Sequence, residues 1–342
     1  MSAVEPLRIG ILGAARIAPR AVIGSARALP DVEVVAVASR DRRRGERFAR
    51  RYGVPTVHES YAALLADARV DAVYVGLPNG LHGAWTAAAV RAGKHVLCEK
   101  PFAANAQEAA AVAEVAEGSS VVVMEAFHWR YHPLAELVRT LVADERVGRV
   151  QHLEARAVVP YLKPGDIRFD LSLAGGSLMD IGCYAVHQLR VVAGDEPRVV
   201  SARAKCKAPG VDRWIEAQLR WPDGRTGRIE AALWSFGAPM IDLRVKGDLG
   251  MLKVLNPIAP HVYNRVTLKD TDLPAHVGRK RQRIEGESSY QCQLRAFTAA
   301  VRDGGPVLTP PADAVRTLRV IDAIYEAAGM LPRLPTPVEV GR

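Results

Sequence analysis

The sequence predicts an α/β protein in which a doubly wound parallel sheet is followed by a C-terminal α+β domain with a large, mostly antiparallel, open-faced sheet. Up to about residue 125, short apolar runs alternate with helical segments, among them 42–52 and about 106–117, and strands separated by helices form parallel sheets. Beyond Pro133, longer segments alternate apolar and polar residues, as antiparallel strands do when one face is buried. The strands predicted there are 151–159, 198–206, 214–221, 227–236, 240–246 and 251–255, with a hairpin turn at 222–225. These patterns predict two domains, 1-125 and 126-342.

Composition narrows the class of protein. The chain has 342 residues, of which 49% are hydrophobic and 24% are charged, as in globular proteins with room for two cores. No apolar run approaches the ~20 residues of a membrane-spanning helix, and the first residues lack the basic and apolar regions of a secretory signal. We therefore expect a cytoplasmic protein without a membrane partner. The cysteines form no C-x-x-C pair and are expected to be small buried residues rather than disulfides or zinc ligands: Cys98, Cys183, Cys206 and Cys292.

The formal net charge of +9 raises the question of a nucleic-acid partner. The basic residues are spread along the chain, however, and the sequence contains no helix-turn-helix, RNP or zinc-finger pattern. Dense basic clusters occur only at 40–44 and 279–283, and the first suits a phosphate-bearing small molecule better than DNA. We expect no nucleic-acid partner.

The first apolar run, 7–12, leads into a glycine turn and an alanine-rich helical segment. In dinucleotide-binding folds, glycines in such a strand–turn–helix unit let the backbone approach the pyrophosphate at the start of the helix. The match to G-x-G-x-x-G is imperfect, because Leu12 and Ala15 stand where some versions have glycine, and an ordinary turn is the alternative. The residues predicted to hold the cofactor here are Gly10, Gly13, Ala14, Ala15, Arg16 and Ile17.

The end of the second predicted strand bears on the choice of cofactor. NAD sites usually place an acidic residue there to bind the ribose 2′-OH, whereas NADP sites use arginine. Ser39 and Arg40 occupy the place in this chain, and a hydroxyl with a guanidinium suits a 2′-phosphate. We therefore favour NADP, and NAD stays open because Asp41 is only one residue away.

The alternation of strands and helices continues to a sixth strand, which predicts a Rossmann fold for the first domain. Ligands bind beyond the carboxyl ends of the strands in such sheets. Glu99 and Lys100 directly follow the buried run 95–98, where a charged pair suits a binding site better than a core; a solvated pair at a strand end is the alternative. The other residues at strand ends that are predicted to contact the cofactor are Leu77, Pro78, Asn79, His82, Trp129 and Arg130. A structural role is the alternative for His82 and Arg130.

Six motifs, taken in order, resemble those of a known family. They are the N-terminal glycine turn and the segments 38–41 (ASRD), 77–82 (LPNGLH), 93–101 (GKHVLCEKP), 125–133 (EAFHWRYHP) and 175–184 (GGSLMDIGCY). From about residue 7 to about residue 330 the chain resembles the glucose–fructose oxidoreductase / inositol dehydrogenase / rhizopine-catabolism family, Gfo/Idh/MocA. Within that family it is most similar to the branch of dihydrodiol dehydrogenase and NADP-dependent xylose dehydrogenase.

The resemblance implies roles for individual residues. Lys100 would be the catalytic lysine beside the nicotinamide, and Asp180 and Tyr184 would form the second-domain half of the site. Many members have His where this chain has Tyr184, but the branch named above has Tyr. Family members often have a cis bond before the proline that corresponds to Pro101. Many have Asp at the position of His187, which leaves the role of His187 open.

Asp180 and Tyr184 are four residues apart in a predicted helix, so their side chains share one face; an ordinary amphipathic helix is the alternative. Hydride transfer at a carbinol carbon also requires a proton to move at its oxygen. Tyr184 can move that proton if the ammonium of Lys100 lowers the tyrosine pKa, or Lys100 is itself the acid/base. Asp180 would orient Lys100 or bind a substrate hydroxyl. We expect the amine of Lys100 and the phenol of Tyr184 to meet across a cleft. Tyr161 and Phe169 lie in a loop that could line this cleft, and aromatic packing is the alternative role for them.

These observations predict an NAD(P)-dependent oxidoreductase, with NADP favoured, that acts on a secondary alcohol or ketone of a sugar, cyclitol or trans-dihydrodiol. The alternative is a regulatory protein of the same fold that binds NADP without turnover. His128 and His132 have the spacing of metal ligands, but no third ligand accompanies them and no metal is predicted. The expected partners are a small polyol or keto-sugar and, through the free face of the second sheet, further copies in a homodimer or homotetramer.

Overall fold

The computed structural model describes residues 5–161, 163, 165–234, 239–270 and 279–338. The strands of the first sheet are β1 (Leu7–Leu12), β2 (Val32–Ala38), β3 (Thr56–His58), β4 (Ala72–Val75), β5 (His95–Cys98) and β6 (Val123–Glu125). Their order is β3-β2-β1-β4-β5-β6, and every neighbouring pair is parallel. This order is that of dinucleotide-binding folds, in which ligands bind where the strand order reverses, between β1 and β4. The predicted Rossmann fold is confirmed.

Helices connect these strands, and polar side chains define where several of them begin. Asp41 accepts a hydrogen bond from the amide of Arg44, and Asn105 accepts one from the amide of Glu108. Such caps satisfy amides that have no partner within the helix. A π-helical turn at Pro19–Ile23 precedes the first α-helix. The helices are α1 (Gly24–Ala26), α2 (Arg42–Tyr52), α3 (Tyr61–Leu65), α4 (His82–Arg91) and α5 (Ala106–Glu117).

The second sheet has eight strands in the described part of the chain. They are β7 (Val150–Val158), β8 (Arg198–Ala208), β9 (Val211–Arg220), β10 (Thr226–Ala232), β11 (Met240–Gly247), β12 (Gly250–Leu255), β13 (Arg265–Asp270) and β14 (Arg279–Gln282). The order is β14-β13-β12-β11-β7-β10-β9-β8. The neighbours pair in antiparallel fashion except β7 and β10, which are parallel, so the predicted mostly antiparallel sheet is confirmed.

The two faces of this sheet differ in chemistry. In β7, Leu153, Ala155 and Ala157 are buried on one face, while Glu154 and Arg156 alternate with them on the other. Helix α7 (Cys183–Ala193) packs against the apolar face over β7 and β10. The opposite face carries charged side chains across several strands. The helices that follow β6 are α6 (Pro133–Ala143), α7 (Cys183–Ala193), α8 (Ser289–Asp303) and α9 (Pro311–Ala327).

The hairpin between β9 and β10 lies where the sequence predicts it. The turn 222–225 is closed by a hydrogen bond from the Trp221 amide to the carbonyl oxygen of Arg225 at 2.9 Å. Gly224 adopts a φ of +90° there, a conformation that side chains rarely tolerate. The Asp223 carboxylate accepts a hydrogen bond from the Arg225 amide.

The chain folds as two compact units that are discontinuous in sequence. The first unit comprises the described parts of Met1–His128, Tyr290–Val315 and Pro335–Arg342, and the second comprises those of Trp129–Ser289 and Arg316–Leu334. These units differ from the predicted domains 1-125 and 126-342 because two C-terminal segments belong to the first unit.

Some expectations about individual elements need correction. Strands β13 and β14 are absent from the predicted strands. The predicted strand 227–236 includes residues 235 and 236, which lie outside the described residues. Cys206 is exposed rather than buried, because it lies on β8, the edge strand of the second sheet. Cys98 and Cys183 are buried as expected. None of the described helices is long and apolar enough to cross a membrane.

Candidate active site

The glycine turn after β1 has the backbone conformation that a close-fitting cofactor turn requires. Gly13 has a φ of +94°, and a Cβ placed on it would lie 2.8 Å from the carbonyl oxygen of Gly76. A Cβ on Gly10 would lie 2.6 Å from the Leu64 side chain. The first glycine therefore permits the packing of α3 on β1, and the second brings the loops after β1 and β4 together. The other predicted turn residues, Ala14, Ala15, Arg16 and Ile17, lie between Gly13 and the helical turn that begins at Pro19.

At the carboxyl end of β2, the acidic and basic side chains have separate roles. The Asp41 carboxylate caps α2 by accepting a hydrogen bond from the Arg44 amide at 3.1 Å. The Arg44 guanidinium donates to the carbonyl oxygen of Ala14 at 2.9 Å, which places it beside the glycine turn. Ser39 is buried and Arg40 is exposed. Arg44 belongs to the basic cluster 40–44 that suits a phosphate, but it is not among the predicted cofactor residues.

The loops after β4 and β5 are tied together by His82. Its Nδ1 lies 2.7 Å from the carbonyl oxygen of Pro101, and its Nε2 lies 2.7 Å from that of Leu77. Burial, and the nearby ammonium of Lys100, lower the pKa of His82 to about 4, although both carbonyls oppose this shift. In the neutral ring only one nitrogen carries a proton, so only one of the two contacts is a hydrogen bond. Both nitrogens face protein carbonyls, so the ring links the loop that contains Leu77, Pro78 and Asn79 to the loop of Lys100.

Glu99 and Lys100 stand at the end of β5 as predicted. The Tyr74 hydroxyl donates a hydrogen bond of 2.6 Å to the buried Glu99 carboxylate, and Lys100 is half-buried. The peptide bond between Lys100 and Pro101 is cis, as the family resemblance implies. The Glu99 side chain is thus held by the core side of the sheet, which fixes the backbone from which Lys100 projects.

Tyr290, at the start of α8, joins this strand-end cluster. Burial first, and then the Glu99 carboxylate, raise the pKa of Tyr290 above its usual value, while Arg20 opposes the shift. The Tyr290 ring also packs on that of His128, with ring centroids 4.1 Å apart. Because Tyr290 belongs to no recognisable motif and is remote in sequence, it is absent from the predicted site.

In the second unit, Asp180 and Tyr184 lie on one continuous helical segment. Its first turn, Leu178–Gly182, is π-helical and continues into α7, which contains Tyr184. The Asp180 amide donates to the carbonyl oxygen of Gly176 at 3.0 Å. The predicted helix is confirmed, but the wider first turn was not expected; such turns often occur at functional sites.

The Asp180 carboxylate forms an ion pair with Arg168, which is not among the predicted site residues. Arg168 Nε donates to Asp180 Oδ2 at 2.9 Å, and its Nη1 lies 3.0 Å from Asp166. Burial disfavours the cation, but Asp180 and Asp166 together raise the pKa of Arg168 above its usual value. Hydrogen bonds from Tyr161 and Arg168 outweigh burial and lower the pKa of Asp166 to about 2. Phe169 instead packs under Lys207, whose Nζ is 3.9 Å from the ring centroid.

His187 accepts a hydrogen bond from a tryptophan. The indole nitrogen of Trp129 donates to His187 Nδ1 at 3.0 Å, and both residues are buried. Because an indole N–H can only donate, His187 Nδ1 carries no proton in this pair and the neutral ring has its proton on Nε2. The Trp129 N–H is therefore used within the protein, whereas Arg130 follows it in the 3-10 turn His128–Tyr131.

Comparison with known proteins identifies the family. Residues 7–127 match the oxidoreductase family with an NAD-binding Rossmann fold, GFO_IDH_MocA, and residues 135–253 match the GFO/IDH/MocA C-terminal domain. The chain belongs to the Gfo/Idh/MocA family. This Gfo/Idh/MocA protein is 40% identical over 329 residues to D-xylose 1-dehydrogenase (NADP(+)) 2 of Haloferax volcanii, which covers 94% of this chain and 97% of that enzyme.

Two further relatives of this Gfo/Idh/MocA protein are a dihydrodiol dehydrogenase and a 3-ketoreductase of known structure. Trans-1,2-dihydrobenzene-1,2-diol dehydrogenase of Sus scrofa is 33% identical over 231 residues, covering 66% of this chain and 67% of that enzyme. A solved structure of KijD10, a 3-ketoreductase from Actinomadura kijaniata in complex with NADP and TDP-benzene, superposes with a TM-score of 0.86 at 30% identity. It covers 94% of this chain and 98% of KijD10. The predicted family and branch are confirmed, and the roles of individual residues stay predictions.

Proposed function

We propose that the protein is an NADP-dependent oxidoreductase that transfers a hydride between the nicotinamide and a secondary alcohol or ketone of a sugar. The observation that carries the proposal is the position of Lys100, which follows β5 at the carboxyl end of a sheet whose order and glycine turn are those of a dinucleotide-binding fold. Relatives named as a xylose dehydrogenase and as a sugar 3-ketoreductase support a sugar as substrate. A cyclitol or a trans-dihydrodiol remains within the same chemistry.

The residues around the first sheet fit the cofactor. The turn at Gly13 is too tight for a side chain and follows β1 at the switch point, where a pyrophosphate is bound in such folds. Ser39 and Arg40 offer a hydroxyl and a guanidinium for the 2′-phosphate, with Arg44 close to the same turn. When bound, NADP supplies a two-electron hydride donor or acceptor. The loop of Leu77, Pro78 and Asn79, with Glu99, Trp129 and Arg130, would complete its surroundings.

The protein itself must move a proton at the substrate oxygen. Oxidation of a carbinol removes a hydride from carbon and a proton from oxygen, so a base is needed, and reduction needs the corresponding acid. We propose that Tyr184 or Lys100 performs this step, with the Lys100 ammonium favouring the tyrosinate in the first case. Asp180 would bind a substrate hydroxyl or orient Lys100. In either role its carboxylate would exchange the ion pair with Arg168 for the new contact.

Sequence spacing in a relative supports the pairing of these two residues. Solved variants of KijD10 substitute a tyrosine by phenylalanine and a lysine by alanine or glutamate, and those two positions are 84 residues apart. Lys100 and Tyr184 are also 84 residues apart. A lysine and a tyrosine at the same spacing in both chains support a common role for them here.

The function is tested by supplying sugars, cyclitols and dihydrodiols with NADP⁺ and with NAD⁺, and the matching ketones with the reduced forms, while the nicotinamide absorbance is followed. We expect turnover with a sugar substrate and preference for NADP. Absence of turnover with every member of the panel, despite NADP binding, would favour a regulatory protein that binds NADP without turnover.

Lys100→Ala should lower kcat by ~10²–10⁴-fold, the range for loss of a general acid–base group, and leave the Kd for NADP within a few-fold. Lys269→Ala, which removes an exposed lysine on β13, is the matched control and should keep full activity. Equal kcat for Lys100→Ala and the control would remove Lys100 from the mechanism.

We also propose that the charged face of the second sheet is covered by a second copy of the chain. Acidic and basic side chains alternate across this face: Arg228 pairs with Glu154 at 2.6 Å and with Glu216 at 2.5 Å, and Asp242 pairs with Arg156 at 2.6 Å. A face of alternating sign presents complementary charges to a copy of itself related by a two-fold axis.

A further inference from the structure

A buried ion pair lies beneath the start of the helix that carries Asp180 and Tyr184. Asp212, on β9, has no exposed surface, and Arg333, in the segment after α9, is 1% exposed. Arg333 Nη2 lies 2.6 Å from Asp212 Oδ1. Burying two charges is costly and is often no more stabilising than apolar packing.

The other oxygen of Asp212 caps the helix. Oδ2 accepts a hydrogen bond from the Ser177 hydroxyl at 2.6 Å and one from the Leu178 amide at 2.8 Å. Leu178 is the first residue of the π-helical turn, so the carboxylate satisfies an amide that has no partner within the helix. The negative charge of Asp212 is also placed where the helix dipole favours it.

Arg333 and Tyr325 hold this carboxylate in place and connect it to the preceding turn. The Tyr325 hydroxyl donates to Asp212 Oδ1 at 3.0 Å, and the Arg333 guanidinium lies over the Tyr325 ring at 4.0 Å from its centroid. Arg333 Nε donates to the carbonyl oxygen of Gly175 at 2.8 Å. The Arg333 guanidinium thus binds both the capping carboxylate of Asp212 and the backbone of the glycine turn.

The glycine turn fits against this pair without room for a side chain. Gly176 has a φ of +137°, and a Cβ on it would lie 2.1 Å from Asp212 Oδ1 and 2.8 Å from Arg333. A Cβ on Gly175 would lie 2.7 Å from the carbonyl oxygens of Arg168 and Asp170. The turn therefore lies between the ion pair and the loop whose Arg168 holds Asp180.

We propose that Asp212 and Arg333 are positioning residues for the reaction, which fix the turn Leu178–Gly182 and hence the direction of Asp180 and Tyr184. This inference rests on the proposed function, because it assumes that those two side chains meet the substrate. Small displacements of reacting groups reduce rates strongly, so a helix start whose capping carboxylate accepts four hydrogen bonds is of direct use to catalysis.

The test uses variants that remove single donors to Asp212 and keep the shape of the side chain. Tyr325→Phe and Ser177→Ala should each lower kcat by on the order of 10-fold, with the Kd for NADP unchanged, because the hydride-accepting cofactor binds the first unit. Amide hydrogen exchange in 178–184 should become about tenfold faster in both variants and stay unchanged in the first sheet. Arg333→Lys should retain more activity than Arg333→Gln, since it keeps the charge beside Asp212.

A matched control separates positioning from stability. Trp221→Phe changes a buried side chain of the second unit and removes its hydrogen bond from the indole nitrogen to the carbonyl oxygen of Asp195 at 2.9 Å. This variant should lower Tm without changing kcat or exchange in 178–184. If Tyr325→Phe behaves in the same way, the ion pair is only structural and the proposal is overturned. Hydrogen exchange requires no substrate, so it tests the positioning role even if the wild type turns over no sugar.

Discussion

Arg40 and Asp41 are neighbours at the end of β2, yet they are available to a ligand to different degrees. The Asp41 carboxylate is engaged as the cap of α2, 3.1 Å from the Arg44 amide, whereas the Arg40 side chain is exposed. An acidic residue that caps a helix is poorly placed to accept the ribose 2′-OH hydrogen bond that defines NAD sites. The arrangement therefore supports a preference for a phosphorylated ribose.

Arg40→Ala should weaken NADP binding by about 10–100-fold, the equivalent of ~1.5–3 kcal/mol for a hydrogen bond to a charged group, and leave NAD binding nearly unchanged. Fluorescence titration of both cofactors measures the effect. Arg42→Ala is the matched control, since Arg42 is exposed and pairs with Glu46 within α2 at 3.0 Å. A ratio of NADP to NAD affinity that is the same in Arg40→Ala and wild type would refute the 2′-phosphate assignment.

The local sequence identifies site residues that are adjacent to a motif. It misses residues that are distant in sequence and reach the site only through tertiary packing. Glu99 and Lys100 follow a strand directly, so their position at the sheet edge is predictable. Tyr290 reaches the same cluster from the start of α8, and Arg168 reaches Asp180 from a loop. Neither contact has a periodic or motif signal, because tertiary packing alone brings the partners together.

At the scale of elements, His82 joins two loops that the predicted cofactor site needs. The ring lies at the start of α4 and faces the carbonyl oxygens of Leu77 and Pro101, at 2.7 Å each. It therefore couples the loop after β4 to the loop after β5. The cofactor contact of His82 stays a prediction, with a structural role as its alternative. Because both ring nitrogens face backbone carbonyls, we expect the ring to position the two loops.

The burial of His82 predicts that the stability of the folded protein depends on pH. The pKa of His82 is lowered to about 4 in the folded protein, from an ordinary value near 6.5. As the pH falls below 6.5, His82 binds a proton in the unfolded chain but stays neutral in the folded protein. The free energy of unfolding therefore decreases between pH 6.5 and pH 4, by up to ~3 kcal/mol. Urea unfolding at pH 7, 5.5 and 4.5 measures this loss.

His82→Gln is the comparison, because other histidines also have lowered pKa values, including His95 and His152. The variant should be less stable than the wild type at pH 7, and the difference between the two should shrink towards pH 4. A constant difference across this pH range would mean that folding does not lower the pKa of His82.

Helices with side-chain caps and apolar periodicity are predicted well from the sequence, whereas the edge strand β14 is not. Helices α2 and α5 occupy the predicted residues, because side-chain caps and apolar periodicity agree there. Strand β14 consists of basic residues and glutamine, 279–282, whose β propensity is low, and only its pairing with β13 makes it a strand. The π-helical first turn at Asp180 likewise has no sequence signal.

At the scale of the whole chain, the alternation of strands and helices predicts both sheets but not the discontinuity of the first unit. Residues 290–315 return to that unit through contacts at β6. The Glu125 amide donates to the carbonyl oxygen of Thr309 at 2.9 Å, and the Thr309 hydroxyl donates to that of Glu125 at 2.6 Å. These bonds pair a strand with a segment more than a hundred residues later, which sequence order alone does not reveal.

The charged face of the second sheet gives the last prediction, which concerns the oligomer. Lys253 lies in β12 on this face, half-exposed and 3.9 Å from Asp242. We expect the protein to sediment as a dimer or larger assembly, and Lys253→Glu to shift it towards the monomer, because the new carboxylate adds like charge beside Asp242 and opposite a copy of the same face. Arg91→Glu, at the exposed end of α4, is the control of equal charge change and should leave the assembly intact. A wild type that stays monomeric at every concentration would exclude this interface, and equal dissociation of the two variants would assign the effect to net charge rather than to the sheet.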